Sequence, residues 1–177
     1  MATEANKILV GLGWDAAKGK LFGKATPIDL DLSAFVLKNG KLQGGTADFV
    51  YAARKNHSDG AIIHSGDDVG GKGAGDDEVI TADLTKLPFE YDRVIFFATI
   101  NKAKERKQDF STVKNAYIRI ANADNGVEIF KLNLSDIQGG KTALIFAEAV
   151  RGGNAWVINL IGESTYDTEL DQLATRY

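Results

Sequence analysis

A succession of short apolar runs, rich in Val, Ile and Phe and mostly closed off by Gly, Asn or Asp, constrains this chain more than any other feature. Runs of four to eight such residues between turn formers are the pattern of strands, whereas helices need longer periodic segments. The spacing predicts strands near Ile8–Leu12, Asp31–Leu37, Asp48–Tyr51, Ala61–His64, Val79–Asp83, Val94–Ile100, Ala116–Asn122, Glu128–Leu134, Leu144–Val150 and Trp156–Ile161. Turn signals separate them at Asn39-Gly40, Asp59-Gly60, Asn125-Gly126, Gly139-Gly140 and Gly152-Gly153-Asn154. Asn125-Gly126 reads as a two-residue hairpin, whose type I′ turn needs positive φ at both residues. Val94–Ile100 is apolar on both faces and reads as a central strand covered on each side, while Ala116–Ile120 alternates and keeps one face wet. Helix is confined to a short piece over Asn101–Arg106 and a C-terminal one capped by Thr168, with Leu170, Leu173 and Ala174 facing inward. The expected fold is mainly β: a two-sheet β-sandwich with a few short helices, including one at the C-terminus, in a single domain over residues 1–177.

Between two of these strands lies His64-Ser65-Gly66-Asp67-Asp68-Val69-Gly70-Gly71-Lys72-Gly73-Ala74-Gly75-Asp76-Asp77-Glu78. Its five carboxylates repel one another; at ~4 Å and an effective dielectric near 20, a like-charged pair costs on the order of 4 kcal/mol. A folded chain tolerates this where the carboxylates fan into water or share a cation. The glycines favour the cation, because they adopt positive φ and let carbonyls approach a ligand closely. Carboxylate and carbonyl oxygens are what Ca²⁺ takes, in sets of 6–8 at roughly 2.3–2.6 Å. The loop reads as a calcium cradle. Upstream, Gly13-Trp14-Asp15 follows the first strand and Asp29-Leu30-Asp31 opens the second. Strand alternation puts Asp29 and Asp31 on one face, roughly 6.5–7 Å apart along the chain. In this reading Asp15, Asp29 and Asp31 meet the loop at one edge of the sandwich, with Trp14 walling one side. Eight carboxylates in one region call for two divalent ions. The competing reading makes each a solvated loop aspartate with local backbone hydrogen bonds.

Two motifs are excluded. Asp67 and Glu78 stand twelve apart as in an EF-hand, but Val69, Gly71 and Lys72 occupy places that need ligands and a glycine, and the flanks are strands. Gly66-x-x-x-x-Gly71-Lys72 imitates a phosphate loop, yet Gly73 stands where Ser or Thr must hold Mg²⁺ and no helix follows. His64 and Ser65, as strand neighbours, point to opposite faces, which disfavours a Ser-His pair. His57 reads as a solvated loop residue, and Glu148 as half-exposed at a strand end or paired structurally with an arginine such as Arg119 or Arg151. A net charge of −3 with no basic stripe argues against nucleic acid. No apolar run approaches the ~20 residues that span a membrane, and Met-Ala-Thr-Glu-Ala-Asn-Lys lacks the form of a signal peptide. With no cysteine there are no thiolate sites or disulfides, which suits the cytoplasm.

The chain resembles the TerD-type tellurium-resistance and general stress proteins. The resemblance runs through Val10-Gly11-Leu12-Gly13-Trp14-Asp15, Asp29-Leu30-Asp31-Leu32-Ser33-Ala34-Phe35, Asp48-Phe49, the acidic loop, Gln108-Asp109-Phe110, Ala116-Tyr117-Ile118-Arg119 and Thr142-Ala143-Leu144-Ile145-Phe146. It implies a calcium-binding β-sandwich, usually with two ions, and a cytoplasmic bacterial protein with no established reaction. It also implies work alongside other stress proteins of the same kind or a membrane-bound partner, peripherally at the inner membrane. Position by position, the implied ligands are Asp15, Asp29, Asp31, Asp67, Asp68, Asp76, Asp77 and Glu78, with carbonyls from Gly71 or Gly73. The family usually has Asn at Asp68, Thr at Gly70, Glu at Lys72 and Asp at Ala74, so this chain is expected to bind calcium more weakly or to alter one site. It also starts close to Ile8, without the family's usual leading segment, which predicts a bare sheet edge. Two other classes stay open. One is a calcium-dependent membrane-surface or partner-docking module, against which the loop tips lack exposed apolar or basic residues; the other is a metal-dependent hydrolase.

Overall fold

Period-two patterning sorts the side chains into layers carried by two antiparallel sheets. The computed structural model describes residues 2–16, 26–71 and 74–177. In chain order the elements are β1 (Ala2–Glu4), β2 (Lys7–Gly13), β3 (Leu30–Lys38), β4 (Phe49–Val50), β5 (Ile62–His64), β6 (Glu78–Asp83), β7 (Tyr91–Ile100), α1 (Ala103–Arg106), β8 (Tyr117–Asn122), β9 (Glu128–Asn133), β10 (Ala143–Gly152), β11 (Ala155–Thr165) and α2 (Leu170–Ala174). One sheet has the order β1-β11-β10-β7-β3-β4 and the other β5-β6-β2-β8-β9. The sandwich expectation holds.

Leu30, Leu32, Ala34 and Val36 of β3, with Phe96 and Phe146, meet Val10, Leu12, Ile80, Ile118 and Ile120 across the interior. Each fully buried side chain of this size contributes about 1.5–3 kcal/mol. The alternate residues Phe35, Leu37, Ile95 and Phe97 face the other way, where Leu173 of α2 and Tyr177 close a second apolar layer. This explains why β7 is apolar on both faces. In β8, Tyr117 and Arg119 keep the partly exposed outer face, as the alternation requires. Among the described residues no helix is long and apolar enough to cross a membrane.

Several local expectations are corrected. The Asn125-Gly126 connection is not a two-residue turn: β8 ends at Asn122, the Gly126 N–H donates to the Asn122 carbonyl, and only Gly126 takes positive φ, at 72°. The left-handed residue is needed at one position, so a longer loop suffices. The sheet edge expected to be bare is covered, since β1 pairs with β11 over Ala2↔Asn159 to Glu4↔Val157. Helix α1 starts only at Ala103 because Lys102 lies at φ 54° and ψ 34°. Glu169, not Thr168, caps α2, in a reciprocal box with Gln172. Glu148 is half-buried and paired with an arginine, as expected, but the arginine is Arg93 at 3.5 Å, with Asn159 donating as well, while Arg119 and Arg151 are engaged elsewhere.

Candidate metal centre

Asp29 and Asp31 flank Leu30, whose side chain enters the inter-sheet core, so both carboxylates emerge on the opposite face of the strand. Asp67 arrives from the connection between β5 and β6. The three offer carboxylate oxygens that all lie within 4.8 Å of one another. Asp29 is 2% exposed. Its Oδ2 accepts from Asn101 Nδ2 at 2.9 Å and lies 3.7 Å from Arg106, but its Oδ1 is buried with no partner among the described residues. An unpartnered buried acceptor costs about 1–3 kcal/mol. Burial pushes the Asp31 carboxyl up to about 7, helped by the negative charges of Glu78, Asp29 and Asp67. Burial also raises Asp29, against the opposing hydrogen bond from Asn101. The site is an anionic cluster in which Asp29 is buried, Asp31 half-buried and Asp67 exposed, with Arg106 the cation paired with it among the described residues.

The donor set fits Ca²⁺. Two oxygens on one calcium ion stand at most about 4.6–5.2 Å apart, twice the usual bond length. Oxygens within 4.8 Å of one another are compatible with that span, and Asp29 has an oxygen with no partner among the described residues.

Glu78, read as a ligand, is fully buried and spans the two sheets. From β6 it accepts the Leu32 N–H of β3 at 2.8 Å and, through its other oxygen, the Asp68 N–H at 3.2 Å. His64 sits beside it, with Nε2 3.4 Å from Glu78 Oε2 and 3.0 Å from the Leu32 carbonyl. The Gly66 N–H donates to His64 Nδ1, so that nitrogen carries no proton and Nε2–H is the donor. Ser65 Oγ instead accepts from Val79 N and donates to the Gly66 carbonyl.

The remaining sequence-predicted ligands have other partners. Asp68 Oδ1 accepts the N–H groups of Gly70 and Gly71, both at 2.9 Å. Gly71 lies at φ +55° against Trp14, and its carbonyl accepts from Ala16 N. Asp77 Oδ2 accepts the Trp14 N–H, and the Trp14 ring nitrogen donates to the Ile28 carbonyl, so Trp14 does wall this end. Asp76 points across β2 at Gly11, clasped by Arg119 through three hydrogen bonds and by the Tyr117 hydroxyl. Burial would raise its carboxyl, but these partners outweigh it and hold Asp76 below the usual range. Asp15 is exposed and accepts from Asn115. Gly73, like Lys72, lies outside the described residues. Among the described residues the structure therefore gathers three of the ten into one cluster.

Sequence reasoning missed Asn101 and Arg106, which position Asp29. The available signal was register: Leu30 pairs with Ile100, so the residue after β7 must meet the residue before β3. His57 is not solvated but 2% exposed, with Nδ1 2.8 Å from Asp59 Oδ2. Val69 in the acidic loop is 62% exposed, contrary to the expectation of no apolar loop tip.

Comparison with known proteins agrees with this architecture. A family model described as the TerD domain matches residues 1–177. The chain is 40% identical to the stress response protein SCP2 of Bacillus subtilis (strain 168) over 179 residues, covering 97% of this chain and 89% of that protein. It is 38% identical to the tellurium resistance protein TerD of Serratia marcescens over 163 residues, covering 92% of this chain and 82% of that one. The crystal structure of a homologue of telluride resistance protein (TerD) from Streptomyces coelicolor A3(2) superposes with a TM-score of 0.77 at 22% identity, over 94% of each chain, a likeness of fold.

Proposed function

Because this chain belongs to the TerD family, we propose that it is a stress-response protein of the tellurium-resistance kind that acts by binding calcium rather than by catalysis. The observation that carries the calcium reading is that Asp29, whose Oδ1 is buried and has no partner among the described residues, forms a triangle of carboxylates with Asp31 and Asp67. Those three residues would hold the ion, which when bound supplies positive charge and oxygen coordination and no redox chemistry. Asn101 and Arg106 keep Asp29 turned toward the triangle. The non-enzymatic reading is supported by His64, whose ring nitrogens face the Gly66 N–H and the Leu32 carbonyl rather than Ser65.

Calorimetric titration of metal-free protein with CaCl₂ tests this. Saturable heat is expected, lost in an Asp29→Asn/Asp67→Asn variant. No heat, together with a melting temperature indifferent to chelator, overturns the reading. A second reading, docking of the ion-loaded loop at an anionic lipid surface, is favoured only by the exposed Val69. Sedimentation with phosphatidylserine vesicles, with and without Ca²⁺, separates the two.

A further inference from the structure

A cavity of about 410 Å³ opens on the outer face of the six-stranded sheet, between that sheet and α2. It shares a wall with the carboxylate triangle, because Asp31 belongs to both. Its volume falls within the range of ligand sites, about 300–1,000 Å³. Asp31, Ser33 and Thr99 form its floor. Ser33 is two residues on from Asp31 along β3, and Thr99 is Asp31's register partner on β7, so alternation and pairing bring the three to one face. Ser33 is 1% exposed and its hydroxyl has no hydrogen-bond partner among the described residues. Phe49 and Leu170 give the cavity an apolar side.

We propose that this cavity binds a small neutral polyol, a compound with adjacent hydroxyl groups, on the floor formed by Asp31, Ser33 and Thr99. Charge selects the class. Among the described residues, Asp31, Glu169 and Asp171 line the cavity against one ammonium, Lys102, a charge balance that repels an anion. Asp29 and Asp67 add two more negative charges beside it, and one divalent ion leaves the region still negative. An organic ammonium would compete with Lys102 and with the ion. A hydroxyl both donates and accepts, so it can bond to the Asp31 carboxylate and to the idle Ser33 hydroxyl at once. Three carboxylates also leave a calcium ion short of its 6–8 oxygens, and hydroxyl oxygens can fill the remainder. This last step rests on the calcium reading above; the cavity and its floor do not.

The test titrates the full chain, in CaCl₂ and in EGTA, with myo-inositol, D-mannose and glycerol, read by saturation-transfer NMR and calorimetry. Inorganic phosphate and putrescine serve as charged controls, and calcium stoichiometry is measured on the same sample without polyol. Binding of a polyol is expected, tighter in calcium than in EGTA by about tenfold. Thr99→Val, which keeps the β-branched shape, and Ser33→Ala should each weaken it by about three- to tenfold while calcium affinity stays unchanged. Protein that takes up calcium but no polyol overturns the proposal and leaves the calcium reading standing. Binding of only phosphate or putrescine, or polyol binding indifferent to both variants, overturns it too. Polyol binding equal in both buffers and weakened by both variants upholds the site; if calcium heat is then absent, only the calcium reading falls.

Discussion

Asp31 is a carboxylate set among carboxylates, partly buried and pushed up to about 7 by its surroundings. Each pK unit of that kind corresponds to about 1.4 kcal/mol, so at pH 8 the metal-free protein carries a few kcal/mol of electrostatic strain at this residue. Asp31→Asn removes the charge and keeps the shape. In EGTA at pH 8 its melting temperature should exceed that of the unaltered protein by about 2–8 °C, while its calcium-induced rise should be largely lost. A variant that melts lower in EGTA would mean that Asp31 serves folding rather than a cation. The pairing of Asp29 with Asp31 was legible from their spacing, because strand alternation is local. The partners of Asp76 were not: nothing near it in sequence announces Arg119, 43 residues away. Density of acid in a loop raised the expectation of a cation, but which carboxylates are already paired depends on which strands become neighbours.

At the scale of elements, the acidic loop is docked rather than free. Gly71 packs against Trp14 with φ +55°, and a Cβ there would lie 2.5 Å from the Trp14 carbonyl oxygen. An L-residue in that conformation costs about 1–2 kcal/mol before any collision. Gly71→Ala should therefore destabilise the protein by at least about 2 kcal/mol in urea denaturation; a change under about 0.5 kcal/mol would show that the loop repositions freely. Helix α2 is clasped differently. Arg176 donates to Asp167 Oδ2 at 2.7 Å, and the Thr165 hydroxyl donates to the same oxygen. Burial would raise Asp167, but these two partners hold it below the usual carboxylate range. A carboxyl lowered in the folded state stabilises above its unfolded value of about 3.8 and loses that contribution as pH falls through the folded value. Because Arg176 is 39% exposed, the loss is small, under about 1 kcal/mol. Protection of the Leu173 and Tyr177 amides, measured against the intrinsic rate at the same pH, should fall on going from pH 5 to pH 3, and Arg176→Ala should abolish that fall. The strands and α2 were readable because their patterns repeat locally. The three-residue β1 carries no periodicity, and only the unpaired edge of β11 makes it a strand.

Across the whole molecule, the candidate centre lies where the two sheets are joined. Asp29 precedes β3 and Asp31 lies at its start in the six-stranded sheet, and Asp67 belongs to the connection that leads into β6 of the five-stranded one. Glu78 ties the same two strands from inside, accepting from Leu32 and Asp68. An ion on the triangle would bind the folded arrangement and not the unfolded chain, and at 100 times its dissociation constant would add about 2.7 kcal/mol. For a chain of 177 residues that corresponds to a rise of about 5–11 °C in melting temperature. Its local signature should be sharper. The N–H groups of Asp68, Gly70 and Gly71 are held by carboxylates of the loop and of Glu78, so they report on whether the loop stays seated. The amides of Phe96, Phe97 and Ile145 belong to the central strands β7 and β10 and answer to the apolar layers instead. In EGTA the first group should exchange at least about tenfold faster than in CaCl₂, while the second group, which opens only with the whole chain, should follow the global gain of about a hundredfold. If the central strands respond and the loop does not, calcium acts on the whole fold without a seat at the triangle. If neither group responds, the carboxylates of Asp29, Asp31 and Asp67 are held apart by some other means than a cation.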